Sequence, residues 1–138
     1  MRRRGLLALQ PKAFTLRTTD STHGLRCASN WLLDQPRPIQ ANRVWVSDIT
    51  YLSLANGDWT CLCAFQDMAS KQVVSFSMPE KLVINTLQRA FWAQSPAPGL
   101  LVHPDRGGQY CGNAYRKLPR NHQAVRSQSR RDDCYDNA

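Results

Sequence analysis

"RVWVSDITYL" (43–52) and "WTCLCAFQDM" (59–68) flank the connection "SLANGD" (53–58). Both segments are rich in β-branched and aromatic residues, which suit a pleated, half-buried surface. Strand periodicity puts Val44, Val46, Asp48, Thr50 and Leu52 on one face of the first segment, and Trp45, Ile49 and Tyr51 on the other. Both faces are largely apolar, which predicts a strand at the centre of a sheet. Asn56-Gly57 is a hairpin signal within a loop slightly longer than two residues. Residues 59–68 are therefore expected to pair back antiparallel. "KQVVSFSM" (71–78), where Val74, Phe76 and Met78 alternate with polar neighbours, predicts a third strand. One residue breaks the pattern: Asp48, a carboxylate where a hydrophobe belongs.

Downstream, Pro79 and Glu80 open a helix whose apolar stripe is Val83, Ile84, Leu87, Ala90 and Phe91, and "SPAPG" (95–99) ends it. "LLVH" (100–103) is a short continuous apolar run, as in a buried parallel strand. "YCGNAYRKL" (110–118) predicts a short helix stopped by Pro119, and "AVRSQ" (124–128) a last short strand. The order β-β-β-α-β-α-β predicts an α/β fold: a mixed sheet, three strands in an antiparallel meander followed by β-α crossovers, flanked by helices. Residues 1–42 are polar, basic and interrupted by proline, and "DQPRPIQANR" reads as a linker. The compact unit is accordingly expected over 43–138, with 1–40 packing less well and 128–138 frayed.

Charge is distributed unevenly. Residues 1–48 hold eight Lys or Arg and three Asp, and residues 106–138 hold seven and three, whereas the centre is nearly neutral. A chain of net charge +8 with basic flanks attracts polyanions, DNA or RNA above all; the plainer reading is a solvated basic surface. No apolar run approaches the roughly 20 residues of a bilayer span. The apolar run in "MRRRGLLALQP" is shorter than the roughly 7–15 residues of a signal-peptide core, which predicts a non-secreted, cytoplasmic protein. The five cysteines form no CxxC and no zinc-ligand spacing, so ordinary reduced thiols are expected.

Asp48 lies in the first predicted strand and Asp105 directly follows the fourth. If those strands are neighbours, both carboxylates reach one edge of the sheet, where ligands bind in open α/β sheets. They would repel unless a cation lay between them. Hard oxygen donors suit Mg²⁺ or Mn²⁺, and two such ions clamp the attacking and leaving oxygens of a phosphoryl transfer. The alternative makes Asp48 a hydrogen-bonded core acid and Asp105 a helix cap. Asp67 reads as a turn or capping residue, and Asp132, Asp133 and Asp136 as solvated.

Four blocks in order, "NRVWVSDITYL", "GDWTCLCAFQDMASKQVVSFSM", "PGLLVHPDRGGQY" and "SQSRRDDCYDNA", resemble the catalytic core of bacterial insertion-sequence transposases. These are DDE recombinases related to retroviral integrases. "LALQPKAFTLRTTDSTHGL" and "NWLL" resemble the segment preceding that core. The resemblance implies an RNase H-like fold, metal-dependent phosphodiester hydrolysis and strand transfer, and a two-metal Mg²⁺ or Mn²⁺ site. It makes Asp48 the first catalytic acid and Asp105 the second. The third, a Glu, is expected some 36 positions after Asp105, near position 141, whereas the sequence ends at 138. The count from the tripeptide Asp136-Asn137-Ala138 gives the same place.

There are departures. Pro104 and Gly108 stand where the family usually has Ser, Ser47 where it has Thr, and "SQSRRDD" replaces the common "SMSRKGN". The expectation is a truncated, inactive copy. Its expected partners are DNA (insertion-sequence ends and target), an intact transposase, or a separate helix-turn-helix subunit. Arg106, Arg116, Lys117, Arg126, Arg130 and Arg131 are the expected phosphate contacts. The alternatives are a non-catalytic module that binds DNA or a transposase as an inhibitor, and a basic RNA-binding protein that stacks bases on Trp45 and Tyr51.

Overall fold

The computed structural model describes residues 24–33, 35–78 and 82–130. Its five-stranded sheet has the order β3-β2-β1-β4-β5. Strand β1 (Val44–Ser53) lies at the centre, β2 (Trp59–Asp67) and β3 (Val73–Ser77) complete an antiparallel meander on one side, and β4 (Leu101–Pro104) and β5 (Val125–Arg126) run parallel on the other. The hairpin forms at the expected place. Gly57 takes φ +87°, which only glycine adopts without strain, and Gly57 N–H donates to Leu54 O at 3.0 Å.

Helix α1 (Leu82–Gln94) buries Val83, Leu87, Ala90 and Phe91, as its stripe predicts, and also Thr86. Thr86 Oγ1 is satisfied by donating to Leu82 O at 2.6 Å. This face covers Trp45, Cys63, Phe65 and Val102, and Phe91 meets Trp45 at a centroid distance of 5.6 Å. Each such large apolar side chain contributes about 1.5–3 kcal/mol when fully buried. Helix α2 (Asn113–Asn121), preceded by a 3-10 turn at Gly108–Tyr110, adds Tyr115 and Leu118 to the same core.

Three expectations need correcting. Pro119 does not stop α2; it lies inside the last turn. It lacks the N–H that would bond Tyr115 O, but the turn closes beyond it, with His122 N–H donating to Leu118 O and Pro119 O at 3.3 and 3.1 Å. Phe76 and Met78 do not face the core; they are 61% and 47% exposed. A bulge opposite Phe65/Gln66 inserts Val74 and reverses the alternation, so Ser77 pairs with Cys63 on the inner face. Finally, Gln128 and Ser129 are buried rather than frayed. Ser127 N–H and Ser129 N–H continue the β5 pairing, donating to Val102 O (3.0 Å) and Pro104 O (3.3 Å). The rest of that segment, 131–138, lies outside the described residues, as do Pro79 and Glu80, the predicted start of α1.

Upstream of β1, residues 28–31 lie against the outer edge of β5. Gln128 N–H donates to Ser29 O at 3.3 Å, Trp31 N–H to Ser127 Oγ at 2.8 Å, and Ala28 N–H to Gln128 Oε1 at 2.7 Å. The chain that continues β5 is thereby covered, while Val125 on β5 itself stays 44% exposed. Among the described residues, no helix is long and apolar enough to cross a membrane.

Candidate catalytic carboxylates and a basic groove

Strands β1 and β4 are neighbours, with Ser47 and Pro104 as Cα partners at the end of their parallel ladder. Asp48 is the next residue of β1 and Asp105 the first after β4, so two carboxylates emerge at one level of the sheet. Asp48 is exposed although it lies within β1; it is not a core acid. The buried half of β1 ends with Ser47, whose Oγ meets Tyr110 OH at 3.0 Å and Cys63 Sγ at 3.7 Å. Behind the carboxylates the wall is thus built of buried side chains. Burial pushes the Tyr110 phenol well above its ordinary range, and burial likewise raises the Cys63 thiol.

Asp105 is half-buried and caps neither helix: Gly112 is the N-cap of α2 and Gly107 that of the 3-10 turn, with no side-chain cap at either. Its Oδ1 accepts the Gly107 N–H at 3.0 Å, and its backbone carbonyl accepts Gln128 Nε2 at 3.3 Å. Gly107 packs closely here: a β-carbon would stand 3.1 Å from Asp105 Oδ1, so the carboxylate would have to shift by a few tenths of an ångström. On the neighbouring part of β4, His103 is fully buried, its ring nitrogens meeting Ser127 Oγ (2.7 Å) and Ser129 Oγ (3.3 Å).

Asp67 is a turn residue. Its carboxylate accepts the N–H groups of Asn42, Ala69 and Ser70 and the Ser70 hydroxyl. Asp132, Asp133, Asp136 and Arg131 lie outside the described residues. Among the described residues, no three His, Cys, Asp or Glu side chains form a metal-holding group. Cys27, Cys61, Cys63 and Cys111 are free thiols. Trp45 is fully buried and has no face to offer a base.

Three of the basic residues singled out in the sequence converge. Arg116, Lys117 and Arg126 line a groove of about 670 Å³ together with Asn113, Arg120, Gln123 and Ala124. Arg120 was missed, although its spacing of four from Arg116 on a helix was a legible signal. Arg126 is partly committed to the fold, donating to Gln128 Oε1 at 3.2 Å and Tyr110 O at 3.5 Å. Desolvation, with Arg116 nearby, lowers its pKa. Arg106 and Arg130 lie outside the groove, Arg106 beside Asp105 and Arg130 exposed just beyond Ser129.

This sheet order, with one carboxylate on its central strand and one directly after the adjoining strand, defines an RNase H-like core. Solved structures agree: a simian T-cell lymphotropic virus intasome in complex with PP2A regulatory subunit B56 gamma superposes with TM-score 0.65 at 16% identity, over 88% of this chain and 42% of that one. The HTLV-2 integrase catalytic core domain in complex with magnesium superposes with TM-score 0.55 at 20% identity, over 67% and 63%. Residues 38–134 match the integrase core domain, and the chain belongs to that family. An insertion element IS600 uncharacterized 31 kDa protein of Shigella sonnei is 36% identical, over 88% of this chain and 46% of its own length. The transposase InsF for insertion sequence IS3A of Escherichia coli K12 is 34% identical, over 100% and 49%. The chain thus spans about half the length of the curated relatives it matches.

Proposed function

We propose that the chain is the catalytic core of a bacterial insertion-sequence transposase, acting on DNA in the cytoplasm by phosphodiester hydrolysis and strand transfer. The observation that carries this reading is the emergence of Asp48 and Asp105 at one level of adjacent parallel strands in an integrase core. Both groups are hard oxygen donors, one exposed and one half-buried, and they fit a hard divalent cation such as Mg²⁺ or Mn²⁺. Asp48 and Asp105 would hold that ion, which when bound supplies charge stabilisation to the oxygens of a phosphoryl transfer. The chain's own residues do the rest. Gly107 N–H and Gln128 orient Asp105, and the buried Ser47–Tyr110–Cys63 cluster closes the wall behind the carboxylates against water. The basic groove takes phosphates through Arg116, Lys117 and Arg120, while Arg106 and Arg130 extend the basic surface around the carboxylates and the chain beyond β5.

A polypeptide of these 138 residues alone should hold metal weakly and cleave little DNA, because the third family carboxylate is counted to about position 141. Clamping by metal supplies several kcal/mol and each 1.36 kcal/mol is tenfold, so the deficit should reach several powers of ten. The groove also supports a second reading, a non-catalytic module that holds DNA or an intact transposase and inhibits it. A cleavage and strand-transfer assay with Mg²⁺ or Mn²⁺, on this chain and on one extended through the expected Glu, distinguishes the two. Activity in the extended chain, abolished by Asp48→Asn or Asp105→Asn, is the expected result. An inert extended chain that competes with an intact transposase favours the module, and cleavage surviving both substitutions overturns the carboxylate site.

A further inference from the structure

Cys27 Sγ and Cys111 Sγ lie 3.3 Å apart although 84 positions separate them in the chain. Both are free thiols, Cys27 half-buried on the segment before β1 and Cys111 buried between the 3-10 turn and α2. Sulfurs already in contact are placed to bond, whereas cysteines whose side chains point apart need backbone movement. We propose that Cys27 and Cys111 are a redox modification site, joined reversibly in an intramolecular disulfide by an oxidant of the glutathione disulfide class. The proposal rests on geometry alone and is independent of the transposase reading.

Cys27 is the more accessible thiol and is where the reagent enters. Its thiolate attacks one sulfur of the oxidised glutathione, the glutathione S–S bond breaks, and the first glutathione leaves with the proton Cys27 has lost. The Cys111 thiolate then attacks Cys27 Sγ, the mixed disulfide breaks, and the second glutathione leaves with the Cys111 proton. The two cysteines give up two electrons, which end on the two reduced glutathiones. Burial raises the Cys111 thiol, with Gln128 and Cys27 as its neighbours. That disfavours attack by Cys111 on a reagent in solution and leaves Cys27, in contact with it, as its target.

The product would hold more than two side chains. Gln128, 1% exposed, accepts Ala28 N–H and donates to both Cys111 Sγ (3.4 Å) and Asp105 O (3.3 Å). A bond from 27 to 111 closes a ring around Gln128 and pins the upstream segment against the wall that supports Asp105.

The test equilibrates the 138-residue chain in a reduced and oxidised glutathione buffer, traps remaining thiols by alkylation and maps peptides by mass spectrometry. The expected product is a monomer in which two of the five thiols are lost and a single linked peptide pair contains Cys27 and Cys111. Cys27→Ser and Cys111→Ser should each abolish the link, and Cys61→Ser should not. Cys27 is only half-buried, so its variant stays folded and readable if Cys111→Ser does not. Oxidation should raise Tm by on the order of 10 °C, reversed by a dithiol reductant. Pairing with another cysteine, linkage only between chains, a mixed disulfide that persists at Cys27, or the same link formed equally well in urea would each overturn the proposal.

Discussion

A β-carbon at position 107 would stand 2.7 Å from Gln109 Oε1 and 3.1 Å from Asp105 Oδ1. The Gln109 side chain is exposed and moves aside cheaply, but the Asp105 carboxylate is bonded to the Gly107 N–H and must shift with it. Gly107→Ala should therefore leave stability within about 1 kcal/mol of the parent while weakening Mn²⁺ binding several-fold in a calorimetric titration. Tyr115 offers the opposite case. Its hydroxyl is buried with no hydrogen-bond partner among the described residues, and desolvation pushes its pKa far up. An unsatisfied buried hydroxyl costs about 1–3 kcal/mol, whereas its ring meets Tyr110 edge-on at 5.4 Å. Tyr115→Phe keeps the ring and should stabilise the chain by roughly 1 kcal/mol in urea denaturation. At this scale the sequence was informative for Asp48, because a strand period makes a misplaced carboxylate conspicuous. It was silent on Gln128, whose role needs residues 28, 105 and 111 brought together.

At the scale of elements, β1 and the hairpin were legible because Asn-Gly and the alternation of apolar residues are local signals. The bulge in β3 was not, since it is defined by pairing with β2 rather than by anything in "KQVVSFSM". Helix α2 was placed too early and ended too soon: Pro119 is a weaker terminator within a last turn than at mid-helix. Its exposed face carries Arg116, Lys117 and Arg120 toward the groove. If that face holds phosphates, the double variant Arg116→Gln/Arg120→Gln should lower DNA affinity for all sequences alike. It should also reduce the slope of log affinity against log salt by about two, one for each lost contact. Fluorescence anisotropy across a salt series measures both, and an unchanged slope places the phosphates elsewhere.

Across the whole molecule, the element order was readable, whereas the adjacency of β1 and β4 entered only as a condition that the pairing of the strands then met. The return of residues 28–31 to the edge of β5 was not, because a polar, proline-rich stretch carries no periodicity to announce where it packs. The core has a global titration signature. Burial raises the acid groups Cys63, Cys111, Tyr110 and Tyr115 above their ordinary values of 9.0 and 10.0. The folded state keeps protons that the unfolded state loses, so stability is full below about pH 9 and declines as pH rises beyond it. The slope should approach about 1.4 kcal/mol per pH unit for each group whose proton is fully retained. Urea midpoints between pH 7 and about pH 10.5 test this; a flat profile would contradict the burial of these groups.

That Asp48 and Asp105 form one cation site is tested most directly by paramagnetic relaxation with Mn²⁺ in an isotope-labelled chain. Broadening should centre on amides 47–49 and 105–107, spare the turn around Asp67, and fade in both regions together in Asp48→Asn and in Asp105→Asn. Broadening that follows only one carboxylate, or that survives both substitutions, would contradict a shared site.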